Sequence, residues 1–168
     1  HKEILPQSYA YSNPYWLNQK HTPGRFIVNN QLMIGLPENT NQATVQYDIN
    51  INGLDLSITR GLCYKFTDPV KGEIYRPYEI LPPVTVNLSQ KVFVFTDTNP
   101  KIIKVTAKAN TAKLNGQLQV EAPQGWTYRI SDSLCQLKQK GDEKVFEFQV
   151  KPSANAGEGQ LKISIKAN

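Results

Sequence analysis

VQYDININGLDLSI, residues 45–58, is the stretch whose reading decides the fold. Val45, Tyr47, Ile49 and Ile51 alternate with Gln46, Asp48 and Asn50; beyond Asn52-Gly53, Leu54, Leu56 and Ile58 alternate with Asp55 and Ser57. A period of two places every apolar side chain of a strand on one face. Asn-Gly between two such runs is a hairpin signal, because a type I′ turn needs positive φ at both central residues. The stretch predicts an antiparallel hairpin with one face buried and the other in water.

The same style extends outward. Upstream, residues 1–24 are polar and aromatic, with Tyr9, Tyr11, Tyr15 and Trp16 around Pro6 and Pro14, and fit no period. They read as an irregular lead-in. Arg25–Val28 reads as a strand, Asn29-Asn30 as a tight turn, Gln31–Leu36 as the partner strand and Pro37–Gln42 as a loop. Downstream, Cys63–Leu88 forms a joint. It runs extended through Tyr64, Phe66, Ile74, Tyr75 and Tyr78 to Pro82-Pro83, which forces extended backbone and withholds two N–H donors. Val84, Val86 and Leu88 then open a second set of strands.

In that second set Val92–Phe95 reads as a short apolar strand. Ile103, Val105, Ala107 and Ala109 alternate with polar residues, and Asn115-Gly116 reads as a turn into Leu118, Val120 and Ala122. Pro123-Gln124-Gly125 delivers Trp126 as a core ring. Phe146, Phe148 and Val150 alternate, and Leu161, Ile163, Ile165 and Ala167 close the chain. About seven strands with turns every 8–12 residues are the pattern of a β-sandwich. No amphipathic helix of useful length is present. The fold class is therefore all-β: two tandem antiparallel immunoglobulin-like β-sandwich units. Residues 1–83 hold the lead-in and the first unit, which is short of a full strand count, and residues 84–168 hold the second. A single continuous unit is the alternative.

Composition narrows the function. Units of this size bury a small but workable core. The net charge is +5, but basic residues are interleaved with acidic ones and form no stripe, which argues against nucleic acid as a partner. No apolar run approaches the roughly 18 residues of a membrane span. The two cysteines, Cys63 and Cys135, fall in different units, and the reading favours free thiols over a bridge between them. His1 opens the chain as it would an excised fragment, so any targeting signal falls upstream and its absence from these residues carries no information.

Two resemblances follow. Val105/Ala107/Ala109, Gly116-x-Leu-x-Val120, Ala122-Pro-x-Gly-Trp126, the charged turn at Gly141, Phe146-x-Phe-x-Val150 and the closing Ile/Ala strand resemble the NEW-type immunoglobulin-like domain. That domain accompanies α-galactosidases and other secreted carbohydrate-active enzymes, and the likeness covers about residues 86–168. NPYWL at 13–17 and YKFTDPVKGEIYRP at 64–77 are similar to segments downstream of the catalytic domain in long PIG-L (LmbE-like) deacetylases. This second likeness implies that the chain is the non-catalytic β portion of such an enzyme and partners its own upstream catalytic domain. It further implies a periplasmic, cell-surface or secreted location. The family's chemistry uses a divalent metal, usually zinc, held by Pro-His-x-Asp-Asp and a distant His. His1, followed by Lys2-Glu3, and His21, followed by Thr22-Pro23, do not match, so no catalytic residue carries over and no cofactor is assigned to this chain.

The residues taken alone agree with a non-enzymatic reading. Two histidines outside any motif do not make a three-ligand zinc site. No Gly-x-Ser-x-Gly elbow is present. Asp68 and Glu73 flank Lys71 and Arg76, and the cluster reads as an ion-paired stiffener of the joint, with Arg76 bound to a carboxylate, rather than a glycosidase pair. Asp97-Thr98-Asn99 reads as an Asx turn. The sequence-level candidates for a binding site are Tyr11, Tyr15, Trp16, Tyr75 and Tyr78, as rings that stack on a glycan or fill an interdomain contact. Two functions emerge: an accessory module packed on or spacing the catalytic domain, and a carbohydrate-binding module.

Overall fold

The computed structural model describes residues 9–167, which hold eleven β-strands and two single-turn 3₁₀ helices. They divide into two compact units that part between Ile80 and Leu81. All paired strands are antiparallel, and the class is all-β.

The second unit is a seven-stranded sandwich: β5 (Val84–Leu88), β6 (Lys101–Ala109), β7 (Leu114–Glu121), β8 (Trp126–Ile130), β9 (Leu134–Leu137), β10 (Glu143–Pro152) and β11 (Lys162–Ala167). One sheet has the order β5-β6-β10-β8 and the other β11-β7-β9. Period-two alternation is strict where the layers meet. Along β6, Ile103, Val105, Ala107 and Ala109 are buried; along β7, Leu114, Leu118 and Val120; along β10, Phe146, Phe148 and Val150. Register places Phe146 opposite Val105 and Phe148 opposite Ile103. Cys135 and Leu137 of β9 close the facing layer. On the outer face of the first sheet, Lys104 meets Glu147 at 2.7 Å and Lys108 meets Glu143 at 2.9 Å, each pair directly opposed across the ladder. Exposed pairs of this kind add at most about 1 kcal/mol each; the sandwich is held by its interior.

Several local expectations are corrected here. Val92–Phe95 joins no ladder and runs as an irregular segment. Asn115-Gly116 is not a turn but lies inside β7, where Gly116 pairs with Cys135. The reversal before β7 is made instead at Lys113, whose φ is +56°. Trp126 is half-buried: its ring packs against the core, edge-on to Phe95, while its indole N–H donates to the Gly157 carbonyl at 3.0 Å.

The first unit is two separate hairpins. β1 (Thr44–Ile51) and β2 (Leu54–Gly61) pair through the predicted turn, with φ of +51° at Asn52 and +88° at Gly53. β3 (Cys63–Asp68) and β4 (Gly72–Pro77) pair around a turn in which the Asp68 carboxylate accepts from the Lys71 and Val70 N–H groups. Those two bonds hold the Asp68 carboxyl below its ordinary value. The anticipated burial of one hairpin face is not seen. Tyr47 faces Ile58, Ile49 faces Leu56 and Ile51 faces Leu54 across the β1–β2 ladder, yet all six side chains are exposed. The strands anticipated at 25–28 and 31–36 are absent. Gln31–Met33 is a 3₁₀ turn because the Asn30 side chain accepts from the Leu32 N–H and caps it. Arg76 pairs with no carboxylate among the described residues; its guanidinium lies 5.4 Å from the Phe66 ring centre, and Lys65 takes Glu73 at 2.6 Å.

Candidate functional site

The site is built where the lead-in folds back onto the first unit. Residues 12–17 dock between the loop 37–42 and the end of β4. Ser12 ties one side: its N–H donates to the Ile80 carbonyl at 2.7 Å, and its hydroxyl accepts from the Ile80 N–H and donates to Gln42 Oε1. Asn39 ties the other. Its carbonyl oxygen accepts from the Tyr15 N–H and its amide donates to the Asn13 carbonyl, both at 2.8 Å. A single side chain thus substitutes for a strand partner over Asn13–Tyr15, which is how a segment with no period becomes ordered.

Between these ties lies an open pocket of about 330 Å³. Trp16, Tyr78, Asn13, Asn41, Glu38 and Glu79 are among the residues that line it. No Lys, Arg or His lines it. Tyr15 stands edge-on to Trp16, ring centres 4.8 Å apart at 88°, and its hydroxyl donates to the Leu36 carbonyl at 3.1 Å. The Tyr15 ring therefore props the indole rather than lining the pocket. The Asn41 amide rests against Gly61, where any Cβ would overlap it.

Of the five rings singled out by sequence, the structure brings Trp16 and Tyr78 together, with Tyr15 behind Trp16. Tyr11 is exposed and lies outside the pocket wall. Tyr75 sits on β4, where its hydroxyl donates to Glu73 Oε2 at 2.9 Å and Lys65 Nζ lies 5.3 Å from its ring centre. The Glu73 carboxyl is held below its ordinary value by Lys65 and then by Tyr75, so Tyr75 belongs to an ordered surface ladder. Sequence reasoning missed Glu38, Asn39, Asn41 and Glu79. The available signal was the loop PENTNQ at 37–42, dense in side chains that bond backbone, beside an aromatic lead-in.

A second, larger cavity of about 870 Å³ opens at one end of the sandwich, among Phe93, Phe95, Trp126, Val150 and Leu161. Its rings are engaged with one another and with the core. Asp97 at its rim is an Asx turn, accepting from the Asn99 N–H and amide at 3.0 and 2.8 Å. Among the described residues no three His, Cys, Asp or Glu side chains gather as metal ligands. Both cysteines are free, Cys63 exposed and Cys135 buried.

Fold and pocket together define a class, an antiparallel β-sandwich module with a small polar-aromatic recess. The sandwich carries the more specific likeness. Residues 98–168 match the family model described as the NPCBM-associated, NEW3 domain of alpha-galactosidase, which spans β6 to β11. This supports the NEW-type reading of the second unit, and the NEW3 domain is a non-catalytic accessory domain associated with glycosidases. No curated protein matches the chain. Among the described residues no helix is long and apolar enough to cross a membrane.

Proposed function

We propose that the chain is the non-catalytic accessory region of a secreted or periplasmic PIG-L-type N-deacetylase, packed on that enzyme's catalytic domain. The observation that carries the docking is the apolar face of the β1–β2 hairpin. Val45, Tyr47, Ile49, Ile51, Leu54, Leu56 and Ile58 share one face and stay 38–62% exposed. A contiguous apolar face of this kind marks an interaction surface, and a two-stranded hairpin needs such packing to be stable. The opposite face is finished for water: Asp48 accepts from Ser57 and Gln46, and Asn50 donates to Asp55. The PIG-L parentage rests on NPYWL and YKFTDPVKGEIYRP, and the accessory role on the family match to the second unit. Zinc and the deacetylation then belong to the catalytic domain.

The test is Ile49→Lys with Leu56→Lys in the chain, mixed with the separately expressed PIG-L catalytic domain. The native chain is expected to co-elute with the catalytic domain and the double variant to elute apart. Co-elution unchanged by both lysines, or no co-elution of the native chain, overturns the reading.

The alternative is a carbohydrate-binding module. The specific observation in its favour is that Trp16 and Tyr78, two aromatic residues far apart in sequence, line one recess together with polar residues.

A further inference from the structure

We infer that residues 91–97, the strap between β5 and β6, form a self-pairing edge through which two copies of the chain join as an antiparallel, two-fold dimer. The inference concerns the second unit and does not rest on the docking of the first.

The strap has the makings of a strand without a partner. Val92-Phe93-Val94-Phe95-Thr96 is β-branched and aromatic, the residue types that favour pleated chain. Burial along it alternates with the period of a strand. Phe93 and Phe95 pack against the core, while Val92 and Val94 stay 75% and 69% exposed. Among the described residues, no backbone group of residues 91–97 bonds to another backbone group. One edge is pinned. Lys101 Nζ donates to the Val94 carbonyl at 2.6 Å and stands 5.2 Å from the Phe95 ring centre, which orders the strap before a partner arrives. Successive residues of an extended chain turn their backbone groups to opposite edges, so the edge of Phe93 and Phe95 is left open. The strap also borders the open cavity of about 870 Å³, so space for an added chain lies beside it.

Charge selects the partner. Lys91 and Asp97 are the charged residues of the strap, and they stand symmetrically about Val94. An antiparallel copy centred on Val94 sets Val94 against Val94, Phe93 against Phe95, Val92 against Thr96, and Lys91 against the partner's Asp97. A parallel copy in register sets lysine against lysine and aspartate against aspartate. Opposite charges facing across a ladder stabilise it, and like charges oppose it. The Asp97 carboxylate, already accepting from Asn99, keeps acceptor capacity for a second donor. The same centring makes Phe93–Phe95 the hydrogen-bonded pairs, which uses the open edge, and Val94–Val94 the closer, non-bonded pair. Such a contact is isologous and closes at two copies, so it removes the exposed edge instead of propagating it.

The experiment is sedimentation velocity of the full chain over a range of concentrations, with far-UV circular dichroism to confirm that each variant folds. The native chain is expected to pass from monomer to dimer as concentration rises. Val94→Lys, which sets two lysines face to face on the axis, is expected to stay monomeric. Lys91→Asp and Asp97→Lys each make both charge pairs repulsive and are expected to weaken the dimer roughly tenfold. An equal mixture of these two variants restores both pairs and is expected to recover association as a heterodimer. Register is read by oxidation in a Cys63→Ser background. Val94→Cys is expected to cross-link to dimer, and Val92→Cys, about four residues out of register with its own copy, is expected not to. A native chain that stays monomeric, a dimer that survives Val94→Lys, or a mixture no better than its components overturns the inference. So does a dimer lost in the Ile49→Lys, Leu56→Lys variant, which assigns it to the β1–β2 hairpin face instead.

Discussion

At the scale of single residues, burial rather than sequence neighbourhood sets behaviour. Nothing in the sequence separates Cys63 from Cys135, since neither stands in a motif. In the structure Cys135 points into the sandwich and is fully covered, while Cys63 lies on an exposed hairpin. Burial pushes the Cys135 thiol above its ordinary value, opposed in part by Lys144. The consequence for stability has a definite sign. Below the unfolded-state thiol pKa, near 8.5, both states hold the proton and stability is unaffected. As pH rises through that value toward the raised folded-state value, the unfolded chain releases the proton first, and stability falls. Titration with an aromatic disulfide at neutral pH is expected to count one fast thiol in the native chain and two in denaturant. Cys63→Ser is expected to abolish the fast phase, and Cys135→Ala to lessen the loss of stability above about pH 8.5. Two fast thiols in the native chain would mean that β9 is not packed as described.

At the scale of elements, two strand pairs with the same alternation have different fates. β10 and the β1–β2 hairpin both read as alternating strands, but Phe148 is 2% exposed and Ile49 41%. Removing a buried phenylalanine forfeits transfer energy and leaves a cavity, so Phe148→Ala is expected to cost about 3–5 kcal/mol. Ile49→Ala, with little to lose inside the chain, is expected to cost under about 1 kcal/mol. Urea unfolding followed by circular dichroism compares them, and equal costs would show that the hairpin face is already packed. This contrast also marks what sequence conveys. Period and turn chemistry are local, so the Asn52-Gly53 hairpin and the alternation of β6, β7 and β10 were legible. Whether a partner layer exists is not local, and nothing in VQYDINI distinguishes a covered strand from an uncovered one. Gly116 shows the converse: Asn-Gly reads as a turn, but pairing with Cys135 keeps it inside β7. Half of the recess was legible for the same reason. Trp16 and Tyr78 stand out as rings, whereas Glu38, Asn41 and Glu79 matter only because Ser12 and Asn39 pull the lead-in across them.

At the scale of the whole molecule, the two units differ in what their own strands supply. From Leu81 onward, seven strands close a core of twelve buried apolar residues. Among the described residues of the first unit, no hydrophobic side chain is fully buried. Cooperative unfolding requires a shared interior, so the thermal transition of the full chain belongs to the second unit. The magnitude separates this from the alternative. At about 0.7 kcal/mol per residue near 60 °C, residues 81–168 melting alone absorb about 60 kcal/mol, and the whole chain melting as one body about 120 kcal/mol. Scanning calorimetry of the full chain is expected to give a single main transition near the smaller figure. A fragment of residues 81–168 is expected to reproduce it, with its midpoint within a few degrees. The Ile49→Lys, Leu56→Lys variant is expected to leave that transition unmoved, since those side chains lie outside the core that melts. An enthalpy near the larger figure, or a fragment that fails to fold, would place the hairpins inside the cooperative body, and their apolar face would then be part of the chain's own interior rather than a surface for a partner.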